Sequence, residues 1–469
     1  MKRAFLLGGL LLTACASRAQ HAVALYDAGD YAGAARAADA GLAAHPGDEA
    51  LWQMRVRAAL AQGDGPGLAK AYAGYRDSRG GDDDQALLRE LAVATLGQAL
   101  ASPSAKLKLA AIEAVATAEL HGLADQVAER MTDDDDRVAA AAAIAILRGY
   151  PQAPQVAGDM LHSEDADARR IAVDGIGQKV GKFALADLEI AAADGDPRVR
   201  RTAIRWLGEL KDRDAAALLA KAVRDPDPAV RAAAASALAK LGPDPTTGPG
   251  PLGDLARQAL RDPALAVRLA GIELLVAAHG PTLRGELAGL AADPDPLLAT
   301  EAAIAAGGGE LAARALDRAT TAAEWATRAG AANLAVRALG KPAALGLARK
   351  LAADPELAVR LAAARVLAHT GDPAAATAIF LAGLAPAASL DDRLQAAIDL
   401  AAQDDARGAQ ALDAAIRDPA LAPAARATIA AAHRTAHRIT PGLIAALADR
   451  SATVRVAAAA ALAVITKHA

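Results

Sequence analysis

The chain has 469 residues, of which 54% are hydrophobic but only 2% are aromatic. Aromatic side chains normally supply much of a large globular core, because each buries roughly 150–250 Å², so alanine and leucine must fill this interior. No alternating run of Val, Ile, Thr and aromatic residues predicts a strand, and alanine is the strongest helix former. The 51 basic and 55 acidic residues are scattered and give a formal charge of −4, without the basic stripe typical of nucleic-acid binding. We therefore expect an all-α protein that does not bind nucleic acid.

The N-terminus has the pattern of a bacterial export signal with a lipid anchor. Lys2 and Arg3 precede an apolar stretch over residues 4–14, which is too short for the roughly 20 residues of a membrane span. It ends in Leu12-Thr13-Ala14-Cys15, and Cys15 is the single cysteine, so no intrachain disulfide is possible. This tetrapeptide resembles the lipobox of bacterial lipoproteins. The resemblance implies cleavage of residues 1–14 and lipidation of Cys15 in a mature N-terminus of residues 15–19; the alternative is a cysteine that follows an ordinary signal peptide by chance.

The resemblance also implies a location. Two acyl chains on one cysteine give stable anchoring, and residue 16 is Ala rather than Asp, which in Gram-negative lipoproteins favours the outer membrane, facing the periplasm. Cys15 lies only a few residues before the first predicted helix. We therefore expect the N-terminal helices to lie near the membrane, and the rest of the chain to extend into the periplasm.

Residues 20–76 carry two copies of a helix-hairpin pattern. The first copy comprises Leu25-Tyr26, Gly29-Asp30-Tyr31, Ala34, Ala38, Leu42 and Pro46, and the second, about 34 residues later, comprises Trp52, Gly63-Asp64, Ala69 and Tyr72. The pattern resembles tetratricopeptide repeats, in which Gly-Asp turns the chain and small alanines let two helices approach closely. A polar stretch over residues 77–86 then predicts a junction with a second type of repeat.

Residues 87–469 are predicted to form about twelve helix pairs with a different period. The clearest copies are Asp225-Pro226-Asp227-Pro228-Ala229-Val230-Arg231, Asp262-Pro263 through Val267-Arg268, and Asp354-Pro355 through Val359-Arg360. Alignment on the arginine gives Lys108, Ala139, Arg169, Arg200, Arg231, Arg268, Ala299, Thr327, Arg360, Gln395, Ala425 and Arg455, at spacings of 28 to 37 residues. This pattern resembles the short HEAT repeats of bacteria, of the type found in bilin lyases. The resemblance implies a right-handed alpha-alpha superhelical solenoid.

Each of these pairs reads as a helix A, an Asp-Pro turn and a helix B. The aspartate suits a helix start because its carboxylate accepts hydrogen bonds from free amides, and proline fits the first helical position. The units around Trp325 and Leu394 lack the Asp-Pro turn, and a Pro/Gly-rich insertion over residues 242–251 lengthens one spacing to 37 residues. We expect that insertion to project from an edge of the stack.

Three sets of polar residues are candidate sites. The recurring Asp and Arg residues predict a structural ladder that ties a turn to the next helix; the alternative is that they line a groove for acidic ligands. These residues are Arg200, Asp225, Arg231, Asp262, Arg268, Asp354, Arg360 and Arg455. His433 and His437 lie four residues apart, which suits a metal site, but without a third ligand we interpret them as solvated helix-face residues. The acidic runs at 82–84 and 133–136 lack the spacing of a calcium loop, so helix capping is the better interpretation. We expect no metal, cofactor or catalytic residue.

Two classes of function fit these observations. The first is a lipid-anchored interaction scaffold whose B helices line a concave face that docks an unknown protein or peptide. The second, implied by the resemblance to bilin lyases, is a small-ligand-binding HEAT protein, which the low aromatic content and the wide separation of Trp206 and Trp325 disfavour. A purely structural envelope spacer is a third possibility that the sequence does not separate from the scaffold.

Overall fold

The protein is described here as a computed structural model covering residues 18–243, 250–279 and 284–467. Every regular element in these ranges is a helix, which confirms the prediction of an all-α solenoid of helix pairs. Within them, no helix combines the length and apolar character that a membrane crossing requires. The predicted lipobox and residues 244–249 of the Pro/Gly-rich insertion lie outside the described residues.

The chain forms two compact units, and the first combines both ends of the sequence: residues up to Arg130 and residues from Ala397. The predicted limits between tetratricopeptide-like helices, junction and HEAT-like helices all fall inside this unit. Its N-terminal helices are α1 (18–27), α2 (Tyr31–Ala44), α3 (Glu49–Ala61), α4 (Gly65–Ser78), α5 (Gln85–Leu100), α6 (Ala105–Thr117) and α7 (Ala124–Glu129).

The second unit spans Met131–Ala396. Its helices are α8 (Asp136–Ala145), α9 (Ala153–Met160), α10 (Ala166–Lys179), α11 (Leu185–Ala191), α12 (Pro197–Glu209), α13 (Ala216–Ala222), α14 (Pro228–Leu241), α15 (Gly250–Ala259), α16 (Leu265–His279), α17 (Arg284–Leu290), α18 (Pro296–Ala305), α19 (Gly309–Thr320), α20 (Trp325–Leu339), α21 (Lys341–Leu351), α22 (Leu357–Thr370) and α23 (Pro373–Gly383). Helix α24 (Leu390–Ala402) crosses the unit boundary, and the first unit ends with α25 (Ala406–Ile416), α26 (Pro423–Ala436), α27 (Pro441–Ala446) and α28 (Ala452–Ile465).

The aligned positions of the repeat fall on every second helix from α6 to α28, and these are the B helices. In the second unit, successive B helices pack side by side from α8 to α22, and A helices such as α13 and α15 pack against them. The interior is made of aliphatic residues at helical spacing; in α12, for example, Val199, Ala203 and Leu207 are fully buried. Alanine therefore permits the close helix packing that the composition predicts.

The Asp-Pro turns start the B helices through side-chain capping. Asp227 accepts hydrogen bonds from the amides of Ala229 and Val230 at 2.8 and 3.0 Å, and Pro228 is the first residue of α14. Asp196 and Asp295 cap α12 and α18 in the same way, each followed by a proline. The carboxylate satisfies amides that have no partner inside the helix, so this short motif fixes where α12, α14 and α18 begin.

The C-terminal helices of the first unit pack against its N-terminal helices. Helix α27 packs on α4, and α28 packs on both α5 and α6. Arg89 of α5 donates to the carbonyl oxygens of Ala463 and Thr466 at 3.2 and 3.4 Å, and Lys467 forms an ion pair with Glu119 at 3.1 Å. The last HEAT-like pair thus packs on the N-terminal helices of the same unit. Helix α28 buries seven residues between α26 and α5.

Gly65 provides a test of this end-to-end packing. A Cβ atom at Gly65 would lie 2.8 Å from the carbonyl oxygen of Ala445, whereas one at Gly47 would meet nothing within 4 Å. We predict that Gly65→Ala lowers stability by about 1–3 kcal/mol, the usual cost of overpacking, and increases hydrogen exchange in residues 441–465. Gly47→Ala is the matched control. Equal unfolding midpoints and exchange rates for the two variants would contradict the packing described here.

Candidate functional site

The aligned arginines link each turn to the next repeat with a constant geometry. Nη1 donates to two carbonyl oxygens of the arginine's own turn, six and five residues earlier, at 2.7–3.1 Å. Nε and Nη2 donate to both oxygens of an aspartate in the turn of the following repeat, at 2.7–2.9 Å. We call each such contact a rung. Four rungs share this geometry: Arg169–Asp194, Arg200–Asp225, Arg231–Asp262 and Arg328–Asp354.

The rungs connect residues differently from the pairing that the sequence suggests. Arg231 contacts Asp225 only through its backbone oxygen, while the Asp225 carboxylate binds Arg200 of the preceding repeat. The bidentate hydrogen bonds of Arg231 hold the pKa of the Asp262 carboxyl below its ordinary value, and those of Arg328 do the same for Asp354. A rung therefore joins two successive repeats as a charge-assisted pair.

Three predicted ladder residues depart from this geometry. Arg268 keeps the two carbonyl bonds of its own turn at 3.2 Å, but its carboxylate partner is Asp295, at 3.8 Å. Arg360 and Arg455 also keep both carbonyl bonds, and neither makes an ion pair with another described residue. Conversely, Arg328 forms a regular rung, although the sequence alignment placed Thr327 at this position. The alignment was one residue off because this repeat lacks the Asp-Pro turn.

The two histidines near the C-terminus do not lie together on a solvated helix face, so that interpretation is wrong for His433. His433 is fully buried, and its ring nitrogens lie 2.9 Å from the oxygen of Ile429 and 3.0 Å from Oγ1 of Thr440. Burial lowers the pKa of His433. His437 is exposed and ends α26 in the left-handed conformation. The interpretation as a solvated residue did not take into account that Ile429, Ala430, Ala432 and Ala436 place His433 on the buried side of α26.

The acidic runs cap helices. Asp84 accepts a hydrogen bond from the amide of Leu87 at the start of α5, and Asp135 accepts one from the amide of Arg137 at the start of α8. Asp84 also accepts a hydrogen bond from the Tyr75 hydroxyl at 2.7 Å. Across the described ranges, no three His, Cys, Asp or Glu side chains form a group that could hold a metal ion.

A charged groove of about 590 Å³ lies on the B helices α10, α12 and α14 of the second unit. It is lined by five basic and two acidic side chains, together with small residues: Arg170, Asp174, Arg198, Arg201, Thr202, Arg205, Glu209, Ala233, Ser236, Ala237 and Lys240. The three arginines of α12 recur three and four residues apart, which places them on one face of the helix. This stripe was not predicted from the sequence, because the repeat alignment singles out Arg200, which points away from it toward the turns.

Ion pairs across the B helices hold most of these side chains in place. Arg205 pairs with Asp174, and its guanidinium carbon lies 4.7 Å from the ring centroid of Trp206. The Trp206 Nε1 atom donates to the same Asp174 carboxylate at 2.7 Å. Arg198 pairs with Asp167 at 3.0 Å. These contacts orient the walls of the groove.

Arg201 differs from the other basic residues of the groove. It is exposed and makes no ion pair with any residue in the part of the chain that the structure describes. Because surface charge pairs contribute little and exchange readily, the groove offers one uncompensated guanidinium and several partly compensated ones. The charge of its lining suits an anionic group.

Comparison with known proteins supports the assignment of the repeat type. Residues 185–249, which include α12, α13 and α14, match the family model of HEAT repeats. A search of curated protein sequences gave no match.

Several solved structures resemble the fold at low sequence identity. A homology model of the full-length AP-3 complex in an intermediate open conformation has 15% identity over 71% of this chain and 72% of its own, with a TM-score of 0.39. The complex of CpcE and CpcF of phycocyanin lyase from Nostoc sp. PCC7120 has 24% identity over 57% of this chain and 96% of its own, with a TM-score of 0.28. The UNC-45 chaperone, in a structure concerned with its molecular features critical for binding and folding muscle myosin, has 14% identity over 90% of this chain and 61% of its own, with a TM-score of 0.33.

Substitution of Asp262 tests the contribution of a rung. In the wild type, the Ala264 amide donates a hydrogen bond to Oδ1 of Asp262 at 2.9 Å. Asp262→Asn keeps an oxygen that can accept this bond, but it removes the negative charge that binds Arg231. We expect a loss of stability at pH 7, since hydrogen bonds to charged groups contribute about 1.5–3 kcal/mol. The matched control is Asp254→Asn, because Asp254 is 81% exposed and pairs with Arg257 on the surface.

The same variant gives a prediction for pH. Folding lowers the pKa of the Asp262 carboxyl below its ordinary value of 3.8. The charged carboxylate therefore stabilises the folded state at pH values above 3.8, and this stabilisation is lost as the pH falls through the pKa of the folded state. The difference between wild type and Asp262→Asn should therefore shrink in acid, as thermal unfolding monitored by circular dichroism would measure. A difference that is absent at pH 7, or constant down to pH values well below 3.8, would contradict a charged rung.

Proposed function

We propose that this protein is a lipid-anchored scaffold of the cell envelope, facing the periplasm, that docks an acidic segment of another protein on the B helices α10, α12 and α14. The observation that carries the proposal is the basic groove, with five cations, two carboxylates and the unpaired Arg201. In this account the chain acts by binding, without catalysis and without a cofactor.

The dimensions of the groove favour an extended peptide. Arg198 and Arg205 are seven residues apart in α12, which corresponds to about 10 Å along a helix. An extended peptide covers that distance in about three residues, at about 3.4 Å each. Acidic side chains on alternate residues of a strand-like segment lie about 6.8 Å apart, so two of them would fit along the stripe formed by Arg198, Arg201 and Arg205.

Charge complementarity would determine the choice and the orientation of the partner more than its affinity. Charges at an exposed surface steer encounters and exclude like-charged partners, and they are screened by salt over about 8 Å at physiological ionic strength. Small residues of α14, among them Ala233 and Ala237, form one wall of the groove. They leave room for a peptide backbone to approach the helix.

The proposed anchor rests on the lipobox-like sequence Leu12-Thr13-Ala14-Cys15. Residue 18 is already helical, so only two residues would separate a lipidated Cys15 from α1. The tetratricopeptide-like helices would then lie close to the membrane. The residue after the cysteine, Ala16, is the feature that favours the outer membrane.

Reversal of one charge in the groove tests the docking proposal. We expect Arg201→Glu to weaken binding of a fluorescent ten-residue peptide of alternating Glu and Ala by about tenfold, a loss of about 1.4 kcal/mol, since a like charge replaces an attractive one. Arg224→Glu makes the same change of charge at an exposed arginine outside the groove and should leave affinity within about twofold. Fluorescence anisotropy at two salt concentrations measures both variants.

Several results would contradict docking of an acidic peptide. Equal weakening by Arg201→Glu and Arg224→Glu would indicate a general effect of charge, and equal binding of a Gln-Ala peptide would indicate that charge is not recognised. Tighter binding of a single-stranded oligonucleotide of equal charge would replace the protein partner with a nucleic acid. Binding of a linear tetrapyrrole that displaces the peptide would favour the small-ligand alternative.

Substitution of the cysteine tests the anchor. We predict that Cys15→Ser prevents incorporation of an alkyne-labelled fatty acid and moves the protein from the membrane fraction to the soluble envelope fraction, because the thiol carries the lipid. Ala16→Asp should keep the label but shift the protein to the inner membrane in a sucrose gradient. A Cys15→Ser protein that stays labelled and bound to the membrane would refute lipidation at this residue.

A further inference from the structure

The last aligned arginine, Arg455, makes the carbonyl hydrogen bonds of a rung but not its carboxylate contact. Arg455 of α28 donates Nη1 to the carbonyl oxygens of Asp449 and Arg450 at 2.7 and 3.2 Å, as the arginines of the regular rungs do in their own turns. In those rungs, Nε and Nη2 bind a carboxylate of the following repeat. Nε and Nη2 of Arg455 bind no carboxylate of any described residue, so their paired donors are available to another group.

The helices that follow α28 in space belong to the start of the repeat array. Helix α28 packs on α5 and α6, the first HEAT-like pair. In the regular rungs of Arg200 and Arg231, the carboxylate lies six residues before the aligned position of the following repeat. The aligned position of the first pair is Lys108, and six residues before it lies Ser102. A serine thus stands where the other repeats place an aspartate.

Ser102 and Arg455 line the same cavity, which has a volume of about 200 Å³. This volume corresponds to about seven water molecules at about 30 Å³ each, enough for a carboxylate with a short aliphatic part. The cavity has a mixed lining. Polar groups come from Thr95, Gln98, Ser102 and Arg455, and apolar groups come from residues that include Leu107 and Val456.

The chemistry of the cavity is selective for an anion. A guanidinium presents its donors in a planar fork that matches the two oxygens of a carboxylate. No Asp or Glu side chain lines the cavity, and the carboxylate of Asp449, in the turn before α28, pairs with Arg426. A neutral amide would satisfy only part of this fork.

We propose that this cavity binds a carboxylate, held by Nε and Nη2 of Arg455, and that the bound group completes a rung between α28 and the first HEAT-like pair. The carboxylate would come from a small organic acid or from the C-terminus of a peptide. The site lies in the first unit and is independent of the basic groove on α10, α12 and α14, so either proposal can fail without the other.

The test uses propionate, the tetrapeptide tetra-alanine with a free C-terminus, and the same tetrapeptide as its C-terminal amide, with binding measured by calorimetry. We expect Ser102→Asp to weaken binding of the acids at least tenfold and to raise the unfolding midpoint without ligand, because the new carboxylate would occupy the fork of Arg455. Ser78→Asp makes the same change at an exposed serine outside the cavity and should bind like wild type. Tighter binding of the peptide acid than of propionate identifies a peptide C-terminus, and the reverse identifies a small acid.

A second pair of variants separates binding from folding. Arg455→Gln should lose at least tenfold in affinity for the acids, but it also loses two bonds to carbonyl oxygens. Arg360→Gln loses the corresponding two bonds and should keep the affinity of wild type. Equal affinities for the tetrapeptide acid and amide, unchanged affinity in Ser102→Asp, or no saturable binding of any probe to wild type would each overturn the proposal.

Discussion

The rung formed by one guanidinium, two turn carbonyls and one carboxylate is the interaction on which the rest of the stack depends. Arginine has five donors in a rigid fork, and a regular rung uses them to fix its own turn and to bind the next repeat. A core of alanine and leucine with few aromatic residues provides contact area but little directional information. The regular rungs, such as Arg200–Asp225 and Arg231–Asp262, supply that direction by fixing one B helix relative to the turn of the following repeat.

The rungs also determine which side chains face the groove. Arg200 and Arg201 are neighbours in α12, so they point about 100° apart on the helix. Because Arg200 is held against two turns, Arg201 is directed to the exposed face that carries Arg198 and Arg205. The rungs, which recur along the chain, thus position the groove arginines, which are found on only a few repeats. The charge pattern of the groove can then differ between repeats without loss of the repeat framework.

Much of this architecture could be predicted from the sequence, because short motifs with local causes determine it. Asp-Pro turns cap helices, and the aligned arginines lie in the B helices wherever the Val-Arg motif is clear. Arg328 was missed because its turn lacks Asp-Pro, and the burial of His433 depends on tertiary packing. The packing of α28 on α5 and α6 has a visible signal, an uninterrupted apolar segment over residues 456–465, which predicts a helix that is covered on more than one side. The identity of the helices that cover α28 could be learned only from the structure.

A double-mutant cycle between Arg231 and Asp262 tests the central claim most directly. Replacement of each residue alone, and of both together, by uncharged residues of similar size separates their interaction from the separate bonds that each makes to its own turn. If the rung couples the two repeats, the losses are not additive, with a coupling of about 0.5–3 kcal/mol, as for residues in one network. Additive losses within about 0.3 kcal/mol would show that the two repeats are held together by apolar packing alone, and would contradict the account.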